Sequence, residues 1–375
     1  MSGAKIEGFV APGWERVRDA FAANFDAGRE VGASFAVVRD GTCVVDLWGG
    51  FRDAARSAPW TRDTLVNVWS TTKGLGSLCV ALLVERGLLS YEQTVASVWP
   101  EFAANGKGAL TIGQALSHQG GLSGVREPIV AADYADHAKI TRLLAAQEPF
   151  FPPGQSGYHA ITHGFLTGEL VRRATGKTLG AFFRDEIATP LGVDAWIGLP
   201  EREDARVAEI VPPEGGPVMP PPSHPAVAAA LGNPPLDPAA PNQRWWRACE
   251  LPAANGQTNA AALARIYGML ARGGEQDGRR YLSRATLSEA TRERISTTDL
   301  VLQVPMSWAA GWMRNELGIY GDNPNTFAHA GWGGSFGAAD PDAKLGFGYA
   351  MNQMFPNLMG DPRSLTLLEA SYESL

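Results

Sequence analysis

Residues 65–87 read LVNVWSTTKGLGSLCVALLVERG. From about Ser70 to Arg86 this stretch has a helical pattern that is apolar nearly all round after its first turn, and such a helix is buried. It opens on Ser70-Thr71-Thr72-Lys73. Residues i and i+3 share a helix face, so the Ser70 hydroxyl and the Lys73 amine lie within reach of each other. A serine at a helix N-terminus also sits among backbone N–H groups without intrahelical partners, at the positive end of the macrodipole. Both favour an alkoxide and a neighbouring oxyanion. Burial in so apolar a helix would lower the lysine pKa and make it a base. The plainer reading of the tetrad is an N-capping serine and a surface lysine. Ser2-Gly3-Ala4-Lys5 matches the same pattern by chance, in a tail expected to be mobile.

Upstream, residues 13–27 place Trp14, Val17, Phe21 and Phe25 on one stripe, an amphipathic helix. Two β-rich runs, ASFAVVRD and CVVDLWGG, flank Gly41-Thr42 and predict a hairpin. Downstream, helical patterns fall at 110–117, 138–147, 160–173 and 179–187. Between Pro212 and Pro241 the prolines are too dense for regular helix or central strand, so a loop wrapping the body or a linker is expected. Trp245 and Trp246 follow at once and favour packed chain. QTNAAALARIYGMLARGG predicts a helix capped by Thr258 or Asn259 and ended at Gly273. Short β-like runs with glycine turns come next, and Asp361 and Pro362 open a last helix. This order predicts an α/β (α+β) fold: an antiparallel sheet built from both chain ends, flanked by helices, with a mostly helical insertion. The 375 residues are read as one unit. Its α/β part spans about 1–69 and 250–375, its helical part about 70–210, and a proline-rich loop runs from 212 to 241.

Composition narrows the function classes. Hydrophobic residues make up 45% and charged residues 19%, the balance of a folded enzyme. Net charge is −7 and no Lys/Arg run stands out, which argues against nucleic acid or an anionic membrane as partner. No apolar stretch approaches the length of a membrane span. The opening MSGAKIEGFVAPGWERVRDAF lacks a basic patch followed by an apolar run, so no secretory leader is expected. Cys43, Cys79 and Cys249 are odd in number and far apart, which suits a reducing, cytoplasmic setting and ordinary buried thiols.

A second serine competes for the role of nucleophile. Gly333-Gly334-Ser335-Phe336-Gly337 fits G-x-S-x-G, the elbow of α/β-hydrolases, but that fold needs a histidine after the serine. The histidines are His118, His137, His159, His163, His224 and His329, and all precede Ser335. Ser335 is therefore assigned to a glycine turn. A Ser–Lys pair needs a third group to carry the proton to the leaving atom. Tyr158 in PPGQSGYHAITHGFLTGELV is the candidate, as a tyrosinate or a phenol of lowered pKa beside a lysine ammonium. The bland alternative is a tyrosine packed where a helix begins. The His, Asp and Glu residues show no H-E-x-x-H or paired ligand spacing, so no metal or other cofactor is implied.

VWSTTKG, LSHQGGL, PPGQSGYHAITHGFLTGELVRRATGKTLG, PAANGQTNAAALARIYGMLARGG and AHAGWGGSFGAADPDAKLGFGYAMNQ together resemble the β-lactamase-related serine esterases. These are the family VIII carboxylesterases of the class C β-lactamase/penicillin-binding fold. The likeness runs from about residue 30 to residue 355, with the motifs in the family's order. It implies Ser70 as nucleophile, Lys73 as its base partner and Tyr158 as the other acid/base group. The third motif of the family matches His329-Ala330-Gly331, which with Trp332 would bind substrate. The Trp332 N–H would join that of Ser70 in an oxyanion hole, on the order of 3 kcal/mol for each donor. Two departures bear on the substrate. β-Lactamases carry Lys-Thr-Gly or Lys-Ser-Gly in the third motif, where this chain has neither the cation nor the hydroxyl. Ala160 stands where the second motif has asparagine. Both point from anionic β-lactams towards neutral esters. His329 is either a hydrogen-bonding group for substrate or Tyr158, or a structural histidine.

The expectation is an esterase for short acyl chains with a small-molecule ester as its partner and no cofactor. An amidase, weak β-lactamase or acyltransferase on the same scaffold, or a non-catalytic penicillin-binding or interaction protein, are the alternatives. The sequence leaves oligomeric state open, and whether the proline-rich stretch with Trp245 and Trp246 walls the pocket.

Overall fold

In the computed structural model, which describes residues 4–216, 218–219, 221–356 and 358–375, the two chain ends meet in one nine-stranded sheet. From one edge to the other its strands are Ile6–Val10, Thr42–Gly50, Gly32–Arg39, Leu345–Met351, Phe336–Asp340, Phe327–Ala330, Met313–Arg314, Pro305–Trp308 and Ile295–Thr298. Every neighbouring pair is antiparallel. The expected hairpin closes with Arg39 opposite Thr42.

The central strand LGFGYAM sets the two faces of the sheet by its alternation. Gly346 and Gly348 point to the helix Ala260–Ala271, where a Cβ would lie 2.0 Å from the Gly268 nitrogen and 2.2 Å from the Ala260 oxygen. Only glycine lets that helix approach so closely. Phe347 points the other way, onto Tyr372 of the C-terminal helix Pro362–Tyr372, with ring centroids 5.7 Å apart. That helix lies beside Glu15–Asp26. The predicted caps are in place: the Asn259 side chain accepts from the Ala262 N–H at 2.9 Å, and Asp361 from that of Arg363.

The helix Thr72–Glu85 is buried from Thr72 to Leu83, as its all-round apolar pattern requires. It packs against Thr162–Thr175 and Leu179–Phe183, two of the expected helices. A small second sheet of Val66–Asn67, Gln257–Thr258 and Ala195–Trp196 ties the residues before Ser70 to the residues before Ala260. No described helix is long and apolar enough to cross a membrane.

One reading of the chain needs correction. The proline-rich stretch contains a helix, Pro225–Gly232. Pro225 sits at its first position, where the missing N–H costs nothing, the remaining residues AVAAALG hold no proline, and the His224 ring accepts the Ala226 N–H at 3.1 Å. Just after the tail that holds the chance tetrad, Ile6–Val10 forms an edge strand, paired with Val45–Gly49, that the sequence reading did not include. Gly8 in that strand, at φ +100 and with no room for a Cβ beside the Asp46 carbonyl, hid its β character. Ser2 and Gly3 of the chance tetrad lie outside the described residues.

Candidate active site

Ser70 stands in a tight turn just ahead of its helix. The N–H groups of Thr71, Thr72 and Lys73 are taken by the carbonyls three residues back, at 3.1, 3.0 and 2.9 Å. The donors expected to be free at this N-terminus are therefore occupied. Among the described residues the Ser70 N–H itself reaches no protein acceptor. Trp69 holds φ +44, a conformation that an aromatic side chain rarely adopts. Its ring is gripped edge-on by Trp246 and Trp332, at 5.3 and 4.8 Å between centroids.

Lys73 is fully buried, and burial lowers its pKa well below the usual lysine value. Its Nζ lies 2.9 Å from Ser70 Oγ, 2.7 Å from the Ala160 carbonyl and 3.0 Å from the Ala253 carbonyl. Carbonyls only accept, so two N–H bonds go to Ala160 and Ala253. In the neutral amine the remaining position is a lone pair aimed at the Ser70 hydroxyl. No carboxylate forms an ion pair with Lys73 among the described residues. These backbone carbonyls carry no sequence signature, and neither was foreseen.

Tyr158 leans over the amine, with Lys73 Nζ 4.7 Å from its ring centre, and lines the same small cavity as Ser70. The expectation of a tyrosinate or an acidified phenol is reversed. Burial pushes the phenol above its usual range, the Ser70 contact only partly opposes this, and Asp299 adds to it. Asp299, also unforeseen, shapes the loop: it accepts the Tyr158 N–H at 2.9 Å, the Ser156 hydroxyl at 2.6 Å and the Leu302 N–H at 3.0 Å. Trp308 stacks on the Tyr158 ring at 5.7 Å and 11°.

Four imidazoles surround this group. His118, His159, His163 and His329 are buried, and burial depresses all of them, His159 and His329 to about 3. His159 donates from Nδ1 to the Gly157 carbonyl and accepts the Leu122 N–H at Nε2 (2.7 and 3.1 Å), which fixes a neutral tautomer. His118 accepts the His159 N–H at Nδ1. Among the described residues no group of His, Cys, Asp and Glu is placed to hold a metal.

The strand Phe327–Ala330 brings the third motif alongside. The His329 ring lies 6.4 Å from that of Tyr158. Its Nδ1 donates to the Ala330 carbonyl at 2.8 Å, which leaves Nε2 as a buried acceptor with no protein partner among the described residues. Gly331 has no room for a side chain: a Cβ would lie 2.2 Å from the Val68 carbonyl. Trp332 follows, its backbone N–H also without a protein acceptor among the described residues. Ser335 lies behind the turn, its hydroxyl donating to Val68 O at 2.8 Å. A cavity of about 40 Å³ beside Ser70 is walled by Tyr158, Leu302, Trp308, Met313 and Met359. Trp245 and Trp246 do not line it, and Trp246 supports Trp69 from behind.

A serine–lysine pair on a buried helix, placed between a tyrosine loop and a sheet strand that ends in a glycine turn, defines the serine β-lactamase/penicillin-binding fold class. Residues 17–371 match the beta-lactamase family, and the chain belongs to it. It is 37% identical over 382 residues to the esterase/beta-lactamase LipL of Mycobacterium tuberculosis, across 96% of this chain and 85% of that protein. The crystal structure of a family VIII carboxylesterase superposes with a TM-score of 0.95 at 49% identity, covering 99% of this chain and 100% of that one. A penicillin-binding protein homologue from Caulobacter crescentus gives 0.95 at 46% identity over the same shares.

Proposed function

We propose that this protein is a serine carboxylesterase that cleaves small neutral esters of short acyl chains through an acyl-enzyme on Ser70. One observation carries this reading: a buried, uncompensated lysine whose two spare N–H bonds are spent on carbonyls and whose third position faces a serine at 2.9 Å. The similarity to a family VIII carboxylesterase and to the esterase/beta-lactamase LipL supports ester hydrolysis.

Lys73 takes the Ser70 proton as Oγ attacks the ester carbonyl. The tetrahedral oxyanion rests on the N–H groups of Ser70 and Trp332, which no protein acceptor among the described residues competes for. Tyr158 gives its phenol proton to the departing alkoxide and recovers one from Lys73, so the alcohol leaves neutral. Water then adds to the acyl-enzyme by the same transfers in reverse. Gly331 allows the strand Phe327–Ala330 to close on Ser70, and His329 Nε2 offers an acceptor to substrate. The site lacks the cation that would hold a β-lactam carboxylate, and its walls are apolar and narrow. The α/β part (about 1–69 and 250–375) and the helical part (about 70–210) act as one unit with this site at their junction. The unpaired thiols of Cys43, Cys79 and Cys249 suit a cytoplasmic setting.

The test is hydrolysis of p-nitrophenyl acetate and butyrate by wild type and Ser70→Ala, with nitrocefin alongside. Ester turnover that disappears in the variant, with nitrocefin cleaved far more slowly, is expected. Turnover surviving in folded Ser70→Ala, or a wild type that touches neither ester, would overturn the proposal.

A further inference from the structure

Ser335 is the serine whose G-x-S-x-G setting imitates a nucleophile, and its surroundings show a different use. It is fully buried. Its hydroxyl donates to the Val68 carbonyl at 2.8 Å and lies 3.2 Å from Thr71 Oγ1. Its own carbonyl accepts the Gly331 N–H at 2.7 Å. Val68 and Thr71 bracket Ser70 in the chain, and Gly331 precedes Trp332. One residue thus joins the segment carrying the first oxyanion donor to the turn carrying the second. No lysine, histidine or carboxylate bonds the Ser335 hydroxyl among the described residues, so nothing there would activate it.

Gly333 and Gly334 hold φ +92 and +125. Within the turn the Gly334 N–H reaches the Gly331 carbonyl at 3.1 Å, and from outside the Phe355 N–H and Arg363 Nη2 reach the Gly333 carbonyl, both at 2.8 Å, whereas the Ser335 hydroxyl ties the turn to the Ser70 segment. Gly331 leaves the gap to Val68 that the Ser335 hydroxyl fills, since a Cβ at Gly331 would meet Ser335 Oγ at 2.3 Å.

We infer that Ser335 is a positioning residue: it fixes the spacing between the Ser70 and Trp332 N–H groups by holding Val68, Thr71 and Gly331 together. The inference rests on the oxyanion reading given above. Two donors on separate segments stabilise an oxyanion only when both sit within hydrogen-bond range of one point. Removing the hydroxyl cuts the tie between the turn and the Ser70 segment, and a relative displacement of the two donors near 1 Å costs on the order of 100-fold in rate.

The experiment compares wild type with Ser335→Ala and Ser335→Cys, the latter close in size but a weak donor. Per active site, counted by fluorophosphonate titration, kcat for p-nitrophenyl butyrate should fall about 10- to 100-fold in Ser335→Ala with KM little changed. Ser335→Cys should fall between the two. Affinity for an alkyl boronate, which forms the tetrahedral adduct, should weaken in step with kcat/KM, and the label should remain on the Ser70 peptide. Should the alanine variant fail to fold, the cysteine variant carries the comparison. Wild-type kcat per site and wild-type boronate affinity in a folded variant would refute the inference. So would a loss seen only as fewer titratable sites, or label found on Ser335 in the wild type. Turnover by Ser70→Ala would instead sink the nucleophile reading, and this one with it.

Discussion

Acidification should unfold this protein from its active site outward. His159 can take a second proton only by turning a donor against the Leu122 N–H that its Nε2 now accepts, and His118 faces the same conflict with the His159 N–H. His329 Nε2 is buried with no partner. The folded pKa of His159 and His329 is about 3, against 6.5 in the unfolded chain. Between those values the unfolded chain binds more protons, so stability is full above about pH 6.5 and is lost as pH falls. At about pH 5 each of the two costs about 2 kcal/mol, from RT times the logarithm of the unfolded-state protonation. His118 and His163, depressed in the same direction, add to the loss. Glu30 opposes it: burial raises its carboxyl from 4.5 to about 7, so it favours the folded state as pH falls through that window. Its gain at pH 5 is also about 2 kcal/mol. The lowered pKa of Glu169 matters only below about 4.5. The expected result is a net fall of at least about 2 kcal/mol in urea-unfolding free energy between pH 7.5 and pH 5. Stability at pH 5 equal to or above that at pH 7.5 would refute the reasoning.

The remaining predictions concern the chemistry. Lys73→Met should reduce ester turnover by about 1,000-fold or more, because no second base bonds Ser70. In the wild type, kcat/KM should rise with pH and level off above the folded pKa of Lys73, which lies well below 10.5, since only the neutral amine accepts the serine proton; a rate that falls over that range would count against Lys73 as base. Met313→Ala, which removes a wall of the cavity beside Ser70, should shift the preference among p-nitrophenyl esters from butyrate towards octanoate, read as the ratio of kcat/KM values. Gly334→Ala should destabilise by at least about 2 kcal/mol, because φ is +125 and a Cβ would lie 2.0 Å from Asp361 Oδ2; thermal unfolding measures this.

Much of the scaffold was legible because its signals are local. The all-round apolar run after Ser70 could only be a buried helix, and Gly41-Thr42, Asn259 and Asp361 sit where turn and cap chemistry placed them. What escaped was non-local or masked by composition. Pro225–Gly232 was hidden by the prolines around it, although its own interior contains none. Ser70, Lys73, Tyr158 and His329 stood out as side chains at telling positions, and the structure brings them together. The Ala160 and Ala253 carbonyls that orient Lys73 could not stand out, because every residue has a carbonyl and only the fold decides which ones converge. Asp299 reads in the sequence as one acid among many, and its role depends on Ser156 and Tyr158 arriving from a distant loop.

The polar inventory of the site explains how a lysine can serve as base here. A buried ammonium normally draws a carboxylate, and that pairing would hold it protonated. Here the nearest partners are two carbonyls, a phenol kept neutral by burial, and imidazoles that burial also keeps neutral. The His118, His159, His163 and His329 rings do more than fill space: a proton on any of them would place a like charge near Lys73. Neutrality of the whole cluster therefore keeps the amine free to take the Ser70 proton. On the proposed reading it would also select the substrate, since a pocket lined by no cation has nothing to offset the desolvation of a carboxylate, whereas a neutral ester loses little on entering. By the same reading, a neutral His329 where β-lactamases carry a lysine would serve activation and specificity through one physical cause, the absence of a second cation beside Lys73.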